Sequence, residues 1–375
     1  MTRTSIVLAL SAVVATGWLS MQCSTNSAMP GSNVGPDGSS LQDAGSADGA
    51  VGADAASDSG GESGQESGGA PNGPTLGGCP LFSPEFAYNQ DISQSAIDVQ
   101  SAAYLATLKA NAPDIGLDYP GGEIYNIVPA SQPAVPVGTT SWFGFDSTDT
   151  FFFAADAGAA SAPVPASVQY ENMGTPNEDH HMMILQQGTC QLFELYAWAP
   201  TSSTQGWSAL VEWDLAGSNE QIPDNLEIGS TTAAGTPLLP GVIWPDEVAA
   251  GEIQHALDIV MPANAIAKCD YVHPASDGAW TATGTFPYGG RFRLKASYDT
   301  SHVTGSQALV VIRALQKYGM FNTDISGETR SSFRLGGLGA GQGWDQADIT
   351  QLASLTWDDF DVVDLGTVHT MAGCN

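Results

Sequence analysis

Residues 24–78 contain no lysine, no arginine and no aromatic side chain, and are crowded with glycine, serine, alanine and aspartate. Such a segment cannot bury enough apolar surface to offset the entropy of ordering it, so it is expected to stay unfolded. Folding capacity is thereby confined to residues 79–375, long enough for one large core or two closely packed ones. That stretch shows no second linker and no repeat at a fixed period.

The N-terminus sets the compartment. Arg3 precedes an apolar run, Ser5 to Trp18, too short to span a bilayer and shaped like an export signal. Leu19-Ser20-Met21-Gln22-Cys23 then resembles a bacterial lipoprotein signal. The resemblance implies removal of residues 1–22, acylation of Cys23, and a disordered tether over 23–78 ahead of a globular domain at 79–375. The expected location is the bacterial outer membrane or cell surface, with membrane contact through the lipid alone. Ordinary secretion with cleavage nearby is the alternative. As a flexible coil the tether spans about 40 Å r.m.s., a reach that suits a large, immobile partner.

Four cysteines remain, Cys79, Cys190, Cys269 and Cys374. An even number in an exported chain reads as two disulfides, with three possible connectivities. Because domain termini often lie close together, the expected pairs are Cys79–Cys374 and Cys190–Cys269. There is no Cys-x-x-Cys to suggest a redox or zinc-ribbon role.

Charge narrows the partners. The chain carries −30, and residues 79–375 hold nine basic against 33 acidic side chains. Nucleic acid is excluded as a partner, since its phosphates need lysine and arginine to neutralise them. Between Lys109 and Lys268 there is no basic side chain at all. Arg291, Arg293 and Lys295 alternate with Phe292, Leu294 and Ala296, which on a strand puts three cations on one face. That face is either a solvated surface or a cleft floor that binds carboxylates, sulfates or sugar hydroxyls.

Short β-branched and aromatic runs separated by Gly, Pro, Asn and Asp predict strands at 124–128, 149–154, 181–186, 191–197, 208–214, 253–261, 291–298 and 361–365. Helical spacing is confined to Ser95–Asn111, Ser306–Tyr318 and a segment capped by Asp345 and ending near Leu355. The expected class is mainly β, a sandwich or jelly-roll-like domain with a few peripheral helices. Parallel α/β is not expected, because strands and helices do not alternate.

Several segments are similar, in order, to a widespread family of secreted bacterial proteins without a settled activity. They are Asn89-Gln90-Asp91-Ile92-Ser93, Asp179-His180-His181, Cys190 to Tyr196, Gly235 to Gly241, Asp246-Glu247-Val248, Ile253 to Leu257, Tyr271 to Ala275, Arg291 to Ala296 and Ala314 to Gly319. Ile253-Gln254-His255 and Lys295-Ala296-Ser297-Tyr298 also resemble, more weakly, two strands of jelly-roll alginate lyases. That likeness implies β-elimination, with Tyr or His moving the proton.

The chain lacks a Gly-x-Ser-x-Gly elbow, a phosphate loop and His-Glu-x-x-His. Carboxylates, tyrosines and tryptophans remain, the materials of glycoside hydrolysis. Candidate carboxylates are Glu178, Asp179, Glu194, Asp246 and Glu247, with Glu194 foremost because Tyr196 shares its strand face. His181 and His255 read either as buried structural residues or as groups exchanging a proton near neutral pH. Adjacent strand residues face opposite ways, so His180 and His181 make a poor metal pair. Trp198, Trp207, Trp213, Trp244 and Trp280 could stack on sugar rings or fill the core.

The expected catalytic set is thus Glu194, His255, Asp179, His181 and Tyr196, with Arg291, Arg293 and Lys295 holding substrate in the same groove. No cofactor and no metal is implied, and oligomeric state is not legible. The leading expectation is a surface lipoprotein acting on extracellular polysaccharide as hydrolase or lyase. The rival is a non-enzymatic protein that binds carbohydrate or the cell envelope.

Overall fold

The computed structural model describes residues 73–139, 161–175, 179–196, 199–200, 205–207, 209–217, 231–337 and 343–374, all within the compact unit Ser67–Asn375. Cys23, the tether up to residue 72, Glu178, Trp198 and the expected strand at 149–154 lie outside the described residues. The order begins before Cys79: Thr75–Leu76 pairs antiparallel with Cys79–Pro80, and Leu76 is buried.

The principal elements in chain order are α1 (Ser101–Asn111), β1 (Ile115–Glu123), β2 (Tyr125–Val128), β3 (Met182–Gln186), β4 (Gln191–Tyr196), β5 (Ala209–Asp214), α2 (Pro245–Ala250), β6 (Leu257–Pro262), β7 (Arg291–Leu294), α3 (Ser306–Lys317), β8 (Met320–Ser326), β9 (Ser331–Gly336), α4 (Gln346–Ile349) and β10 (Phe360–Val362). Two sheets dominate. One has four strands in the order β5-β4-β3-β2; the other has six in the order β10-β7-β8-β6-β9-β1. The β-rich class therefore holds. The six-stranded sheet is mixed, however, because β6 runs parallel to β8 and β9 parallel to β1. Long connections between β6 and β8, ending in α3, make that parallel pairing possible.

Alternation along the strands sorts the side chains into layers. On β3, Met183 and Leu185 join a core shared with Phe321 of β8, so the two sheets pack face to face there. Met182 and Ile184 turn the other way, into a separate cluster with Phe193 and Leu195. In the larger sheet Leu257, Ile259, Met320, Phe333 and Leu335 point outward, into a core with α1 and α3. Their strand neighbours Asp258 and Arg334 consequently face the other sheet, as does Glu194 across from them. Polar and ionised side chains thus enter the layer between the sheets.

The disulfides are Cys79–Cys190 and Cys269–Cys374, with Cα separations of 5.4 and 5.9 Å, which corrects the expected pairing. Strand ends, not chain ends, decide it. Phe82 N–H donates to Leu215, whose own N–H donates to Cys190, and this places Cys79 at the β3–β4 turn. His369–Thr370 pairs with Asp270 and Tyr271, drawing Cys374 to Cys269. Asp345 caps α4 as expected, accepting from the N–H groups of Ala347 and Asp348. Among the described residues no helix is long and apolar enough to cross a membrane.

Candidate functional site

The layer between the sheets ends in a charged cluster. Arg334 of β9 donates to Glu123 of β1 at 2.5 Å and also pairs with Asp324 of β8. His181, just before β3, sets Nδ1 at 2.7 Å from Glu171 and 3.8 Å from Glu123, while Nε2 lies 2.9 Å from the Thr231 carbonyl. Tyr196 donates to Asp179 at 3.0 Å, and its ring lies 5.2 Å from that of His181. His181, Tyr196 and Asp179, all in the expected catalytic set, therefore lie together. Glu123, Glu171, Asp324 and Arg334 complete the cluster and were not singled out.

Burial opposes a charged imidazole, but Glu123 and Glu171 outweigh it and hold the His181 pKa up at about 10. Burial likewise favours a neutral Glu171, yet the His181 charge and its hydrogen bond win and lower that pKa. Asp324 moves the other way: burial raises it despite Arg334. Burial, reinforced by Asp179, also raises Tyr196. Glu123, Glu171 and His181 offer donor atoms within 4.8 Å of one another, the spacing of a three-ligand metal set. Arg334 already pairs with Glu123 and Asp324, and His181 with Glu171, so an internal ion network accounts for the contacts of the cluster.

The His181 shift has a sign that can be measured. Its folded pKa, about 10, lies above the unfolded value near 6.5. Its stabilisation is complete below about pH 6.5 and disappears as pH rises through about 10. In urea titrations the stability gap between wild type and His181→Gln is expected to be widest at pH 6 and to close by pH 10. A pH-independent gap would disprove the ion pairing.

The other expected site residues separate. Glu194 is completely buried, and accepts from Trp213 Nε1, Thr231 Oγ1 and the N–H groups of Leu238 and Leu239. It fastens the 231–241 loop to β4. His255 is also buried, with Nδ1 against the Ala256 carbonyl and Nε2 at 3.1 Å from Glu247 of α2. Asp258 accepts from the Tyr88 hydroxyl at 2.8 Å, and burial lifts its pKa to about 7. Gly241 abuts that carboxyl so closely that any Cβ would collide with it. Trp213 and Trp244 are core, whereas Trp280 is exposed.

The cationic strand divides too. Arg291 is buried and donates to the Tyr318, Ala87 and Gln90 carbonyls, with its guanidinium 4.6 Å above the Phe321 ring. It is a structural clamp. Arg293 holds the carbonyls of Ile92 and Ser95 at 2.7 and 2.9 Å, while Lys295 donates to the Asp358 carbonyl. These two, with Arg313 and Lys317 of α3, line an open groove of about 660 Å³. Ser93 and Gln94, in the loop that Arg293 grips, and Gln316 add polar groups to it. Among the described residues Asp361 is the one acidic residue lining it, 3.9 Å from Arg293 and 4.0 Å from Lys295. Lys317 also lies 3.9 Å from Glu252. The helical pair Arg313 and Lys317 was missed because its cations lie outside the strand pattern.

The chain matches no protein-family profile, no curated protein and no solved structure.

Proposed function

We propose that this is an exported protein, lipid-anchored through Cys23, whose folded domain binds acidic extracellular polysaccharide. One observation carries the reading. Four of the nine basic side chains of residues 79–375 line a single groove, in a stretch holding 33 acids. At physiological salt, charges farther away than about 8 Å are largely screened. A carboxylated or sulfated chain lying in the groove then feels the local excess of cations more than the distant acids. Arg313 and Lys317 sit one helical turn apart, roughly 5–6 Å between Cβ atoms. Arg293 and Lys295 stand two residues apart, at roughly 6–7 Å. Such spacing suits successive anionic groups on an extended polymer.

Binding accounts for more of the geometry than catalysis does. Glu194 and His255, foremost among the sequence candidates for proton transfer, are buried and hydrogen-bonded into the scaffold. Two disulfides fit an oxidising compartment.

A polysaccharide panel tests the reading. Full-length protein is expected to be retained on polygalacturonate and chondroitin sulfate matrices at moderate salt, to elute as salt rises, and to pass through dextran and starch. Equal retention on neutral matrices, or none on the acidic ones, would refute it.

A further inference from the structure

We infer that a pocket between β2 and α2 is a second binding site, built for one uncharged pyranose ring. The pocket measures about 260 Å³ and is lined by Glu123, Tyr125, Ile127, Gln169, Trp244 and Asp246, among others. That is just under the roughly 300–1,000 Å³ of sites for drug-sized ligands, so a single ring is the matching occupant.

Its walls have the two characters a sugar requires. Tyr125 meets Trp244 edge-on, with ring centroids 4.6 Å apart and planes at 78°. Trp244 cannot swing away: its Nε1 donates to the Leu239 carbonyl at 3.0 Å, and Gly336 packs flat against its ring. The half-buried Tyr125 and the exposed Ile127 give the C–H face of a pyranose an apolar surface. Around that surface stand acceptors for hydroxyl protons. Glu123 is held in orientation by its pairing with Arg334. Asp246 projects from the exposed first turn of α2. Gln169 is pinned by its backbone, which exchanges two hydrogen bonds with the Asn126 side chain at 2.7 and 2.8 Å, and it offers a side-chain amide.

Charge decides which sugar. Among the described residues no lysine or arginine lines the pocket. The carboxyl groups it does hold are those of Glu123 and Asp246, and Asp246 and Glu247 add to the burial that pushes the Tyr125 hydroxyl up to about 12. A uronate or sulfated sugar is repelled there, whereas neutral hydroxyls find charged acceptors. The pocket is thus opposite in selectivity to the cationic groove, and it stands whether or not the groove binds a polymer.

The test is titration of the full-length protein with the methyl pyranosides of glucose, galactose and mannose and with glucuronate, followed by saturation-transfer NMR and tryptophan fluorescence. At least one neutral glycoside is expected to bind with millimolar affinity, and glucuronate at least tenfold more weakly. Asp246→Ala and Gln169→Ala, both surface changes that leave the core untouched, should each weaken binding about tenfold, as expected for losing one hydrogen bond to a charged or polar partner. The groove variant Arg313→Glu/Lys317→Glu should bind the same sugar with unchanged affinity. Failure of all three glycosides, equal binding of glucuronate, or indifference to both pocket substitutions would overturn the assignment. Loss of sugar binding in the groove variant would overturn the independence of the two sites.

Discussion

Arg334→Met is expected to destabilise the domain by about 3–5 kcal/mol, the usual cost of leaving a buried charge without its partner. Arg334 is only 5 % exposed and serves both Glu123 and Asp324. Methionine fills much of the same volume, so the loss is electrostatic more than one of packing. Without the guanidinium, both carboxylates are pushed toward their protonated forms, above their unfolded pKa values. Linkage then fixes the sign: the variant's stability should fall more steeply than that of wild type as pH rises from 4 to 7. Urea midpoints at those two pH values measure it. Adding Glu123→Gln to Arg334→Met should recover part of the loss, since one of the stranded charges is gone. If Arg334→Met unfolds at the wild-type midpoint at pH 7, the ion network does not stabilise the domain.

Glu194→Leu should have an effect of similar size for a different reason. Leucine suits the burial but strands four donors, from Trp213, Thr231, Leu238 and Leu239. At roughly 1–3 kcal/mol for each unsatisfied buried group, a loss of about 4 kcal/mol or more is expected after relaxation. Thr231→Val removes one donor and leaves the others served, so it should cost only about 1 kcal/mol. Thermal unfolding of the two variants separates these cases. Comparable, small losses in both would mean that Glu194 does not anchor the 231–241 loop.

The β-rich class was legible because β3, β4 and β5 carry short apolar or alternating runs bounded by turn residues. The amphipathic pattern of α3 and the Asp345 cap were legible for the same local reasons. β1 was not: Ile115-Gly116-Leu117-Asp118-Tyr119-Pro120-Gly121-Gly122-Glu123 reads as turns, and only pairing with β9 makes it a strand. Parallel pairing within the larger sheet was equally hidden, since it depends on contacts distant in sequence. The same holds for the disulfides.

The segments picked out by resemblance turn out to meet in space. Arg291 and Arg293 grip carbonyls between Ala87 and Ser95, Glu194 takes the N–H groups of Leu238 and Leu239, and Glu247 meets His255. Conspicuous polar residues in these segments are thereby explained as scaffold. By contrast, Glu123 and Glu171 sit in unremarkable local sequence. Their importance comes from burial beside His181 and Arg334, which no spacing rule reveals.

The central claim is that the Arg293–Lys295–Arg313–Lys317 groove holds an anionic polysaccharide. Its most direct test is the affinity of full-length wild type and of Arg313→Glu/Lys317→Glu for fluorescent oligogalacturonate, measured by anisotropy between about 0.1 and 0.5 M salt, where the screening length shrinks well below 10 Å. Both side chains are exposed on α3, and the exchange leaves the Arg291 and Arg293 bonds to backbone carbonyls in place. The groove account predicts wild-type binding that weakens steadily with salt, and at least a hundredfold loss in the variant at the lowest salt. Equal affinity of the two proteins, or wild-type binding indifferent to salt, would contradict it.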